Sequence, residues 1–126
     1  MSEAPAHFDV LLFGQLETPL PPTDLAAALR GAGLDAEARE SSLSVGGIYV
    51  RLYVGHEVDF TLERDQPTGY LARADADDVE SLRSVAGEVS AALARLPIRH
   101  RFELYAGRDE MVLYLHHGWP AEEHPR

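Results

Sequence analysis

Hydrophobic positions along this chain change their spacing several times, and each change marks an element. Phe8-Asp9-Val10-Leu11-Leu12-Phe13-Gly14 is a nearly continuous apolar run. Its length and its β-formers predict a strand buried on both faces, and so a central one. Thr18-Pro19-Leu20-Pro21-Pro22 comes next, and its three prolines keep it out of regular helix or an inner strand. Thr23 and Asp24 are N-cap candidates for a short helix from Leu25 to Arg30, which Gly31 and Gly33 stop.

Residues 34 to 64 read as a meander of strands. Gly46-Gly47 suits a two-residue hairpin turn, and a second turn falls at Gly55-His56-Glu57. Between them Ile48, Val50, Leu52 and Val54 point one way, and Tyr49, Arg51 and Tyr53 the other. Val58, Phe60 and Leu62 continue the alternation against Asp59, Thr61 and Glu63. One face of such strands packs on a core, and the other meets solvent or a partner.

Asp65 to Gly69 reads as a loop, with a short extra strand at Tyr70 to Arg73. From Asp75 to the residue before Pro97 the period becomes helical. Val79, Leu82, Val85, Ala86, Val89, Leu93 and Leu96 make one stripe, and Pro97 stops it. The last hairpin runs Ile98 to Ala106 and Met111 to His117. Pairing Ala106 with Met111 sets Leu104 opposite Leu113 and Phe102 opposite Leu115, which keeps one face apolar. The fold class is therefore α+β, in the order β-α-β-β-β-α-β-β. A two-layer sandwich follows, with two helices on one face of a mostly antiparallel sheet of five to six strands, ferredoxin-like in general character.

Composition narrows the function classes. The 126 residues make one domain, with a loosely held tail at 118–126. No apolar run approaches the roughly 20 residues of a membrane span, and the first residues lack a secretory layout. Cysteine is absent, which removes disulfides, thiolate metal sites and cysteine nucleophiles together. All 11 basic residues are Arg, a bias that a GC-rich bacterial genome produces by codon usage. The net charge is −10, which repels phosphate backbones and disfavours nucleic acid. Between Glu88 and Glu103, however, no acid occurs while Arg95, Arg99, His100 and Arg101 do. That stretch leaves room for a small anion or an acidic peptide at the start of the last hairpin.

Candidate chemistry is sparse. The chosen register places His100 opposite His117, the two candidate metal ligands, but zinc wants three or four protein ligands. Both are read instead as closing the core face. His116, opposite Arg101, points to the other side. Asp75, Asp77, Asp78 and Glu80 read as acids at the start of the long helix, favoured there by its dipole. No nucleophile elbow, P-loop or dinucleotide fingerprint occurs. The outward set is richer: Tyr49, Arg51, Tyr53, Arg99, Arg101, Tyr105, Tyr114 and His116. Tyr and Arg are enriched at interface hot spots.

The expectation is a small acidic cytoplasmic protein-interaction module without a cofactor. In its most specific form it is an inhibitor or immunity-type protein, its charge steering a basic partner. The alternative is a small-molecule-binding or regulatory domain that dimerises through its sheet. An enzyme would have to use His100, His116 or His117 as acid or base.

Overall fold

The computed structural model describes residues 10–41, 47–55, 58–107 and 110–119. The elements are β1 (Val10–Glu17), α1 (Pro22–Gly31), β2 (Ala36–Glu40), β3 (Ile48–Leu52), β4 (Asp59–Gln66), β5 (Gly69–Ala76), α2 (Val79–Arg95), β6 (Arg99–Ala106) and β7 (Glu110–His117). All neighbouring strands pair antiparallel in one sheet, ordered β2-β3-β4-β5-β1-β6-β7. Among the described residues this is an α+β fold with seven strands, where the sequence predicts five to six, and the ferredoxin-like order is matched only roughly. The short extra strand read at Tyr70 to Arg73 is β5, which is longer and runs from Gly69 to Ala76. Asp75 therefore belongs to the sheet, and the long helix begins at Val79.

Alternate residues of every inner strand are buried on one side of the sheet. Leu12, Leu16, Phe60, Leu62, Tyr70, Phe102 and Leu104 lie there beneath both helices. α2 supplies Leu82, Val85, Ala86, Val89 and Leu93, and α1 supplies Leu25, Ala26 and Leu29. Phe60 and Phe102 stand three strands apart, about 14 Å by strand spacing. Their rings nonetheless meet edge to face at 6.0 Å. The row between them is low: Ala72 and Gly14 separate Leu62 from Phe102, and Ala74 pairs with Phe60. A Cβ on Gly14 would strike the Phe102 ring and the Arg101 carbonyl, so the core needs glycine at this point.

Two local readings change. Pro22 opens α1 at its first position, where the missing N–H costs nothing, and Pro21 is the N-cap. Thr23 and Asp24 thus lie inside the first turn instead of capping it. On α2 the cap is Asp78, which accepts from the Ser81 N–H at 3.2 Å.

The last hairpin keeps the expected pairs Leu104–Leu113, Phe102–Leu115, Arg101–His116 and His100–His117. A β-bulge beyond Leu104 then puts Tyr105 opposite Met111 and Ala106 opposite Glu110, one residue off the expected Ala106–Met111 pair. Of the two glycine turns, Gly47 and Gly55 have positive φ. Gly46, His56, Glu57 and Phe8 lie outside the described residues, as does the tail beyond Trp119.

Candidate functional site

With both helices on one side, the opposite side of the sheet has no covering layer among the described residues. The ladders place its side chains in rows. Through Phe13 the row reads Glu37, Arg51, Thr61, Arg73, Phe13, Glu103, Tyr114. Toward the end of β1 the next row is Arg39, Tyr49, Glu63, Leu71, Gln15, Arg101, His116.

β1 runs through the middle of this face, and the prediction that it is buried on both sides does not hold. Phe13 is 44% exposed and Leu71 beside it 37%. Phe13 leans edge to face on Tyr105, with ring centroids 6.3 Å apart. Met111, across from Tyr105, is 46% exposed. An apolar stripe therefore crosses the centre of an otherwise polar sheet.

The polar groups on either side differ in how they are engaged. On β6, Arg101 donates from Nε and Nη2 to Gln15 Oε1 at 2.9 and 2.7 Å, and from Nη1 to Glu103 Oε2 at 3.2 Å. Tyr105 donates its hydroxyl to Glu103 Oε1 at 2.8 Å, which pushes the Tyr105 phenol above its ordinary pKa. Arg99 pairs with Glu17 at 3.0 Å and donates from Nε to the Gly118 carbonyl at 3.0 Å. Trp119 lies against both guanidiniums, each 5.6 Å from its ring. Arg95 donates to the Ala32 carbonyl at 2.6 Å. The arginines of the locally basic stretch are thus already occupied, and they make no free anion cradle. Arg73 on β5 differs, having no hydrogen-bond or ion-pair partner among the described residues.

A second cluster lies on the far side. Arg51 pairs with Asp59 at 3.1 Å and stacks over Tyr53 at 5.4 Å. Arg39 donates to the Tyr53 hydroxyl at 2.7 Å, and that hydroxyl donates to Glu37 at 3.2 Å. Arg51, Leu52, Tyr53, Gly55, Val58 and Asp59 line a cavity of about 440 Å³. Asp59 faces Asp75 across the ladder. Burial among its neighbours, and then the Asp59 charge, raise the Asp75 carboxyl above its ordinary pKa.

All eight residues singled out from the sequence lie on this open face, but they fall into two groups. Tyr49, Arg51 and Tyr53 sit on β3 or just past it. Arg99, Arg101 and Tyr105 on β6, with Tyr114 and His116 on β7, lie across β4, β5 and β1 from them. The centre between the groups is Phe13, Leu71 and Arg73, which the sequence reading did not single out. An apolar run looks the same whether its second face is buried or exposed. Only Phe13's place opposite Arg73 and Glu103 distinguishes them.

His100 goes to the other side. It is fully buried on the core face of β6, its Nδ1 2.9 Å from the Ile98 carbonyl and its Nε2 2.7 Å from Ser90 Oγ. A carbonyl only accepts, so Nδ1 carries the proton and Nε2 accepts from the serine hydroxyl. Burial, chiefly, lowers the His100 pKa, with His117 and His116 adding to it. His117 stacks on this ring at 5.9 Å but is exposed at the sheet's edge. Both His100 nitrogens are used, so the pair cannot share a metal without breaking the Ser90 contact. The His100 ring is fully buried, while Ser90 on α2 is half-buried. Among the described residues no trio of His, Asp or Glu is grouped to hold a metal ion, and no helix is long and apolar enough to cross a membrane.

In comparisons with protein-family models, curated proteins and solved structures, nothing matches this chain.

Proposed function

We propose that this chain is a protein-interaction module whose docking surface is the uncovered face of its sheet. The observation that carries the reading is the apolar stripe of Phe13, Leu71 and Met111 at the middle of that face. Large apolar side chains gathered in this way and rimmed by polar groups are characteristic of protein contact sites. Tyr and Arg around the rim supply directional contacts, as interface residues do. The inhibitor form of this reading, with a basic partner, is supported by the net charge of −10. It draws nothing from the face itself, where Arg51, Arg73 and Arg101 alternate with Glu37, Asp59, Asp75 and Glu103. A small-molecule site is the second reading, supported by the cavity beside Arg51 and Asp59, whose volume suits a compact ligand.

A photo-crosslinking amino acid in place of Phe13, introduced in the native cell, tests the main reading. It should give a protein adduct of defined mass, while the same group at Arg83, exposed on α2, gives none. Absence of any protein adduct from Phe13 would remove the reading.

A further inference from the structure

Building on the open face as a protein-docking surface, we propose that its occupant is a second copy of this chain. The two copies pack sheet to sheet about a two-fold axis parallel to β1. The charges on the central row select this arrangement. Arg73 lies one strand to one side of Phe13, and Glu103 lies one strand to the other. Sheets that face each other can be related by a two-fold axis lying between them, either along or across the strands. The axis along β1 carries β5 over the partner's β6. Each Arg73 then meets the other copy's Glu103, giving two equivalent ion pairs around stacked Phe13 rings. An axis across the strands sets Arg73 on Arg73 and Glu103 on Glu103, which repel. Arg73 is the cation here with no partner among the described residues, so it is ready to pair. One strand further out, the same operation brings Glu63 of β4 to His116 of β7.

The area is sufficient. With β1 on the axis, β4, β5, β1, β6 and β7 overlap their copies, because two strands lie on the short side of β1. Strand spacing and rise give a footprint of about 600 Å² per copy. The total of about 1,200 Å² is where specific interfaces begin. A two-fold axis parallel to β1 keeps the strands of the two copies aligned, within the range that packed sheets adopt. β2 and β3, with the cavity at Arg51, stay outside the overlap.

Sedimentation equilibrium on the purified full chain tests this. A mass near twice 13.9 kDa is expected at sub-millimolar concentration. Arg73→Glu and Glu103→Arg should each weaken association about tenfold or more, and the double swap should restore it. Arg73 is exposed and has no partner among the described residues, so Arg73→Glu keeps the fold. If Glu103→Arg does not fold, Glu103→Gln must still weaken the pair. A monomeric wild-type chain overturns the inference, and so does a dimer indifferent to Arg73→Glu. The wider reading fails separately. A monomer whose Phe13 crosslinks to a different protein sinks only the second copy, whereas no protein adduct at all sinks both.

Discussion

Leu12 and Phe13 are neighbours in the chain and face opposite sides of the same strand. Leu12 is 0% exposed beneath the helices, and Phe13 is 44% exposed on the uncovered side. Leu12 is flanked across the ladders by Ala74 and Leu104, both buried, and two residues on the fit of Phe102 over Gly14 leaves no room for a Cβ. Around Phe13 the neighbours are Arg73, Glu103, Leu71 and Tyr105, and no second layer covers them among the described residues. One face is organised to hold the chain together. The other exposes apolar area the fold does not use, beside charges it does not fully pair.

The contrast is most easily broken on the covered side. Leu12→Ala should lower stability by about 2–5 kcal/mol in urea unfolding, through lost transfer energy and a cavity. A loss no larger than that of Phe13→Ala would end the distinction. Gly14→Val should cost about 1–3 kcal/mol by overpacking, because its branches displace the Phe102 ring. A thermal melt with an unchanged midpoint would show that the low floor is not required.

The pH dependence comes next. Burial holds His100 neutral, so its folded pKa lies below the ordinary 6.5. The unfolded chain binds the proton first. Stability is therefore complete above 6.5 and is lost as the pH falls toward the folded value. The loss at pH 6 is at most about 1 kcal/mol, the ceiling set by protonating the unfolded chain. His100→Gln should flatten this limb when denaturant midpoints are compared from pH 8 to 5. An equally steep limb in the variant would assign it elsewhere.

On the open side the effects are smaller, and one has the opposite sign. The Asp75 carboxyl is raised above its ordinary 3.8, so its charge is disfavoured in the folded chain. Asp75→Asn should therefore stabilise at pH 7, by about 0.2–1 kcal/mol for relieving a like-charge pair across a ladder. The gain should close as the pH falls through the raised folded pKa and be gone below 3.8, and a loss of stability at pH 7 would refute it. Smallest of all, Phe13→Ser should shift unfolding by no more than about 0.5 kcal/mol, as exposed positions do. The same variant should lose the interaction assigned to the face, which separates the roles of the two sides.

Much of the covered side is legible in the sequence, because period-two and period-three-to-four patterns report burial directly. Val50, Leu52, Phe60 and Leu62, the α2 stripe and the pairs of the last hairpin all follow from it. β5 is obscured for a physical reason. Its buried residues beyond Tyr70 are Ala72, Ala74 and Ala76, small side chains suited to lie under two phenylalanines, while Leu71 points outward. The pattern loses contrast where the packing needs low side chains. The order of strands rests on contacts between distant segments, as when β1 inserts between β5 and β6, and no local period encodes that. The open face was legible as two Tyr- and Arg-rich groups. Its apolar centre was not, since that needed the neighbours of β1.

The edges of the sheet bear on what any assembly can become. β2 is only five residues long and carries Glu37, Arg39 and Glu40, and β7 is distorted by the bulge opposite Leu104 and Tyr105. A short charged edge and a kinked one are poor templates for another strand. Adding a strand at an edge leaves a new edge behind, so such growth has no natural end and leads to fibres. Covering a face by two-fold symmetry uses it up on both partners. The chain thus blocks the route that would polymerise and leaves open one that stops at a finite particle.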